Sequence, residues 1–265
     1  MKNLNESLCH YYFKSLLIPL FLKEGNALRS KRRLSVESNI GVIMQKPVEL
    51  IVFDWDGTLF DSVGQIVASL QFAAQQFEQP LTHADAKSII GLGLPEVAQR
   101  LFPTVPELHT DILQSYSDHY VANSKGDAWF AGVSEMLQDL KMQGLQLAVA
   151  TGKSRKGLDR VLAQTDSTAL FSVTRAASET KSKPDPLMLS EILQHTGISA
   201  DRTIMVGDTS YDLQMAENIQ MPRVGVAYGV HSVEVLNQYA PLSIAQDVRE
   251  LHAFLNLQVK MSEAV

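Results

Sequence analysis

With 265 residues the chain is long enough for one large domain, or for a core plus a smaller insert. Its 45% hydrophobic and 20% charged residues, without a low-complexity tract or repeat, describe an ordinary folded chain. A net charge of −6 argues against nucleic acid or an anionic membrane as the main partner. The single cysteine, Cys9, excludes an intrachain disulfide and metal sites built on several thiolates; it fits a reducing compartment, so a cytoplasmic location is expected.

The charge is unevenly spread. Residues 1–46 hold 8 Lys/Arg and 3 Asp/Glu, a balance of +5, which leaves 15 basic and 26 acidic residues, a balance of −11, for the rest of the chain. Such an acidic body suits a cation-assisted reaction. The apolar run Leu16–Leu22 is too short to span a bilayer, is interrupted by Pro19, and has no small-residue cleavage site after it. Residues 1–46 are therefore read as an N-terminal extension, disordered or the product of a misassigned start, with Met44 just ahead of a compact domain that begins near Pro47.

The first element is "VELIVF", a β-branched and aromatic run that reads as a buried strand. It ends in "DWDGT", where Asp54 and Asp56 at i and i+2 share one face while Trp55 faces the other. Two like charges so close repel unless a cation lies between them or one takes a proton. From Ser62 the period changes: Val63, Ile66, Val67, Leu70, Ala74 and Phe77 recur at helical spacing, with Asp61 or Ser62 as cap. That stripe is expected to pack between helices. Thr82 caps a short helix, "GLGLP" makes a loop, and helical patterns resume at 95–102 and 106–124, where Leu108, Ile112, Tyr116 and Tyr120 form a stripe. Residues 62–126 thus read as an all-helical insert.

Strand and helix then alternate: helix 133–142, strand 145–150, helix 154–164, a weaker strand at 171–174, helix 186–195, strand 203–208, helix 210–219, strand 223–229 and a last helix near 245–256. The expected fold is α/β, a doubly wound, Rossmann-like parallel sheet formed by residues 47–61 and 127–265, with an inserted α-helical cap. In such sheets ligands bind beyond the carboxyl ends of the strands. Those ends carry Asp54 and Asp56; Thr151 and Gly152; and Asp208, with Asp212 four residues on. "KSKPDP" adds an ammonium, for which spacing to the prolines favours Lys183 over a solvated Lys181. Carboxylates, a hydroxyl beside a glycine, and an ammonium suit phosphoryl chemistry. The seven histidines lack ligand spacing, Trp129 and Phe130 fit either a site mouth or a packed hinge, and Asp185 fits a helix N-terminus.

"DWDGT", "TG", "KPDP" and "GDTSYD" resemble, in order, the four motifs of the haloacid dehalogenase-like hydrolases, and the helical insert resembles the helical-cap subclass, in texture its phosphoglycolate phosphatase-like members. The resemblance spans residues 48–230. It implies a Mg²⁺-dependent phosphatase of a small phosphorylated metabolite, acting through an aspartyl-phosphate. Asp54 would be the nucleophile and Asp56 the acid and base. Mg²⁺ would lie on Asp54, the backbone carbonyl of Asp56, and Asp208, with Asp212 as an additional or supporting ligand. Thr151, Gly152 and Lys183 would hold the phosphoryl group, Lys183 also neutralising the nucleophile. Haloacid dehalogenases proper lack the second acid of the first motif, so Asp56 favours phosphate over halide. A sugar phosphomutase, a pyrophosphatase and a nucleotidase share these motifs and remain open. A monomer or homodimer is expected, with cap hinges near 61–62 and 126–132.

Overall fold

The computed structural model describes residue 44, residues 46–124 and residues 129–262. Cys9, the basic cluster and most of the N-terminal extension lie outside the described residues, as do positions 126–128 of the expected second hinge. Six strands make one parallel sheet: β1 (Leu50–Phe53), β2 (Gln146–Thr151), β3 (Val173–Ala176), β4 (Thr203–Gly207), β5 (Arg223–Val226) and β6 (Ile244–Ala245). The order is β3-β2-β1-β4-β5-β6, with every pair parallel. The winding reverses at β1, which pairs with β2 on one side and β4 on the other, so the crevice of the sheet opens beyond Phe53.

Alternation along β1 explains the two cores. Ile51 and Phe53 point into a cluster built with α5 (Val133–Met142), α6 (Arg155–Gln164) and α10 (Val248–Ser262). Leu50 and Val52 point into another, built with α7 (Leu187–Thr196) and α8 (Ser210–Glu217). A strand buried on both faces is apolar throughout, which is why "LIVF" carries no alternation. The sheet is doubly wound, as expected.

Between β1 and β2 the described chain is helical: α1 (Val63–Gln76), α2 (His83–Ser88), α3 (Leu94–Leu101) and α4 (His109–Ala122). Ile66, Val67, Leu70, Ile89, Ile90, Val97 and Tyr120 form its main cluster, which reaches Val230 and Tyr211 of the sheet-bearing part. Leaving and returning chain run side by side: Phe60 bridges both Asp56 and Trp129, and the Phe130 N–H donates to the Leu59 carbonyl at 3.1 Å. Trp129 stacks on Trp55 (5.0 Å) and Phe60 (5.7 Å), and Phe130 packs on Tyr228, so both serve this junction's packing.

Thr82 caps α2 as expected, accepting from the Asp85 N–H. Three expectations differ. Ser62 stands at the start of α1 without a capping bond, because its hydroxyl is committed to Asp56, while Asp61 is exposed. The 106–124 pattern divides into a 3-10 turn, Pro106–Leu108, and α4. β6 and the one-turn α9 (Val233–Leu236) are too short to leave a periodic pattern. No helix among the described residues is long and apolar enough to cross a membrane.

Candidate active site

Asp54 is the first residue beyond β1, fixed by its N–H donating to the Val206 carbonyl of β4 at 2.9 Å. Gly57, at φ +82°, turns the chain back, and a Cβ there would lie 2.3 Å from the Asp208 carboxylate, so this turn admits glycine alone. The turn brings Thr58 to Asp208: its hydroxyl donates to Asp208 Oδ1 at 2.8 Å, while the Val230 N–H donates to Oδ2 at 2.8 Å. Asp212 sits in the first turn of α8, where Thr209 and Asp212 close a capping box; the Thr209 N–H and hydroxyl both donate to Asp212 Oδ2.

Lys183 ties these acids together. Its fully buried ammonium lies 2.7 Å from Asp54 Oδ1 and donates to Asp212 Oδ1 at 2.6 Å. Burial opposes its charge, but Asp212 and Asp54 outweigh that and hold it above the ordinary lysine value. Lys181 is 69% exposed and pairs with Asp185, which also accepts from the Leu187 N–H at the start of α7.

One carboxylate oxygen from each of Asp54, Asp208 and Asp212 falls within a 4.8 Å cluster. Three carboxylates against one ammonium leave a buried charge of −2 if all are ionised. Burial pushes Asp54 well above the carboxylate range; Lys183 pulls it back, and Asp212 and Asp208 add to the rise. Asp208 is raised to about 7 by burial and by Asp212. A divalent cation would supply the missing compensation. The donors are all hard oxygens, and Asp54 Oδ2 is buried with no hydrogen-bond partner, so the residues present fit Mg²⁺. Asp212 has both oxygens engaged by Lys183 and Thr209, which suits it to positioning Lys183.

Asp56 is electrostatically separate. Its Oδ1 lies 2.9 Å from Lys153 Nζ and accepts from Ser62 Oγ at 2.5 Å. The two carboxylates of "DWDGT" thus each have their own ammonium. Burial opposes the Lys153 charge, but Asp56, Tyr120 and Tyr116 outweigh it and raise its pKa. Lys153 was not singled out from sequence, although it directly follows Thr151-Gly152 at a strand end.

Thr151 is fully buried, and its hydroxyl accepts from the Lys153 N–H at 3.2 Å. Gly152 touches the helical insert: a Cβ there would lie 2.6 Å from the carbonyl oxygens of Gly91 and Leu92. The "GLGLP" loop therefore rests on the strand end, and the Gly93 N–H donates to Ser182 Oγ. A cavity of about 270 Å³ lies between, lined from the sheet side by Asp54, Asp56, Thr151, Gly152 and Lys153. Ile66, Leu70, Tyr116 and Tyr120 line it from the helical insert, so the two helical stripes serve the cavity as well as the core. Four described histidines hold structure: His109 bonds the Phe102 carbonyl, His119 bonds Ser69, His231 accepts from the Ser210 N–H, and His252 bonds Asp139.

A family model described as haloacid dehalogenase-like hydrolase matches residues 51–226. The "Probable phosphatase IndB" of Dickeya dadantii is 32% identical over 219 residues, covering 78% of this chain and 95% of that protein. A phosphoglycolate phosphatase of Agrobacterium fabrum is 30% identical over 71% of this chain and 84% of its own length. Among solved structures, a predicted phosphatase from Clostridium acetobutylicum superposes with a TM-score of 0.70 at 26% identity, covering 79% of this chain and 99% of that one.

Proposed function

Since the chain belongs to the haloacid dehalogenase-like hydrolases, we propose that it is a Mg²⁺-dependent phosphatase of a small phosphate monoester, phosphoglycolate or a similar metabolite. The observation that carries this reading is Asp54: a buried carboxylate with one oxygen held by Lys183 and the other unpartnered, lining a cavity that Asp56 also lines. The names of the curated relatives support phosphate as the group attacked. The cavity, about 270 Å³, suits a small ester.

In the first step Asp54 Oδ2 attacks phosphorus and the ester P–O bond breaks, giving an aspartyl-phosphate; Asp56, which enters this step protonated, gives its proton to the departing alkoxide and leaves it as the carboxylate that pairs with Lys153. In the second, Asp56 takes a proton from water, the water oxygen bonds to phosphorus, and the Asp54–phosphorus bond breaks to release phosphate. Thr151, whose hydroxyl hydrogen is not used in its bond with Lys153, would donate it to a phosphoryl oxygen together with the Gly152 N–H. Lys183 stabilises the charge on Asp54 and the phosphoryl group, and Asp212 holds Lys183 in place. Mg²⁺ held by Asp54, Asp208 and the backbone carbonyl of Asp56, with Asp212 alongside, would supply charge neutralisation for the acids and the phosphoryl oxygens. The helices 63–122 act as a cap over the cavity, excluding water.

Phosphate release across a panel of phosphate monoesters, with Mg²⁺ and with EDTA, tests the reading. Turnover is expected with Mg²⁺ and not with EDTA, and Asp54→Asn is expected to lower kcat by ~10³-fold or more. Equal turnover by the variant would overturn it, as would conversion of a sugar 1-phosphate to its 6-phosphate without free phosphate.

A further inference from the structure

Two cations of the cavity lining, Lys156 and Arg160, are without an ion pair among the described residues; Lys156 is exposed and Arg160 is half-buried. Lys156, Gly157 and Arg160 fall on one face of α6, Lys153 lies just ahead of that helix, and all four line the cavity. Lys153 is paired with Asp56. Arg160 has no ion pair and no hydrogen bond among the described residues, and its Nε is buried without a partner. Its guanidinium lies 5.5 Å from the centre of the Tyr120 ring, the same ring that carries the Lys153 ammonium at 5.0 Å. The other described arginines each hold a carboxylate or, for Arg100, the Tyr211 hydroxyl. The one acid of α4 on the cavity wall, Asp118, is exposed and bonded to Gln114.

A guanidinium stacked on an aromatic ring keeps its planar edge of donors free for a ligand. With its buried Nε unpaired, the edge loses hydrogen bonding to water without recovering it from protein, and an anion restores it. The reacting phosphoryl group is already provided for at the strand ends by Lys183, Thr151 and Gly152. Arg160 shares the Tyr120 ring with Lys153, whose ammonium pairs with Asp56, the acid that protonates the departing alcohol in the reading above. We propose that Arg160 reads a second anionic group on the leaving part of the substrate, so that the enzyme selects phosphate monoesters whose alcohol carries its own carboxylate or phosphate. This rests on the phosphatase reading above and assigns the group that chooses among its substrates.

The test compares three esters of one size class: phosphoglycolate, ethylene glycol bisphosphate and ethyl phosphate, in which the second group is a carboxylate, a phosphate and a methyl. Wild type is expected to prefer at least one charged ester over ethyl phosphate by ~10- to 100-fold in kcat/KM, and the preferred one identifies the anion. In Arg160→Gln that ratio should collapse through a higher KM for the charged ester, and Arg160→Lys should restore part of it. A ratio between substrates does not depend on the fraction of variant folded. A wild type without preference, a glutamine variant that keeps it, or equal loss on charged and uncharged esters would overturn the assignment. Absence of phosphate release from every ester and from the wider panel would instead overturn the phosphatase reading.

Discussion

The two sides of the cavity are built on opposite terms. At the strand ends, Asp208, Asp212, Lys183 and Thr58 are buried and engaged in short hydrogen bonds and ion pairs, and Asp54 Oδ2 has no partner among the described residues. On the helical side Ile66, Leu70, Val97, Tyr116 and Tyr120 pack the wall, and its polar side chains, Gln114, Ser117 and Asp118, stand apart from the buried charge cluster. A charged cluster fixed on a rigid sheet can hold reacting groups in place, while an apolar wall can change shape without unpairing anything. Changes at the strand ends should therefore alter stability, metal response and kcat together. Changes where the two regions meet should alter substrate capture.

The largest effect is expected from Lys183→Met. It removes the ammonium shared by Asp54 and Asp212 and leaves buried carboxylates unpaired, so urea unfolding of the metal-free protein should show a loss of about 3–5 kcal/mol. An unchanged midpoint would mean that the strand ends are not held by this charge balance.

The next concerns pH. Burial and Asp212 raise Asp208 to about 7, and Asp54 is raised by burial and by the same neighbours, whereas unfolded aspartates titrate near 3.9. The folded metal-free chain thus keeps protons that the unfolded chain has released. Its stability from this cluster is full below about pH 4 and is lost as pH rises through about 7. Mg²⁺ competes with those protons, so the rise in Tm on adding Mg²⁺ should be larger at pH 8 than at pH 5 by at least ~3 °C. A rise independent of pH would separate the metal from the three acids.

A separate effect, on capture alone, is expected at the meeting point. In Gly152→Ala the new Cβ meets two backbone carbonyls of the 89–94 loop, which must move. We expect kcat/KM to fall by ~10- to 100-fold on every ester, with the Mg²⁺ response of Tm retained. Loss of that response as well would show that the two regions are not separable.

The sheet was legible in sequence because a strand buried on both faces is an uninterrupted apolar run, and the residues after each run gathered where parallel topology requires. Asp54, Thr151, Asp208 and Asp212 converge for that reason, and Lys183 was separable from Lys181 by its spacing to the prolines. Ser62 was misread because a serine before a helical stripe looks like a cap, while its partner Asp56 is fixed only by the Gly57 turn and the bridge to Phe60. Lys153 and Arg160 escaped notice because their meaning lies in tertiary neighbours, Asp56 and Tyr120, that no local pattern specifies. The signal available was Lys153 directly after Thr151-Gly152 at a strand end, with Gly157 and Arg160 on one face of the helix that follows. Ile66 and Leu70, in the stripe expected to pack between helices, also line the cavity, because a stripe lining a cavity and a stripe filling a core have the same period.

The central claim is that Asp54 bonds covalently to phosphorus, and acid quench during turnover tests it most directly. Peptide mass spectrometry of the quenched enzyme should find one phosphoryl group on the peptide containing Asp54, removed by hydroxylamine and absent from Asp54→Asn. A phosphoryl group on Asp208 or Asp212, or steady turnover with no acid-stable adduct at any quench time, would contradict the account.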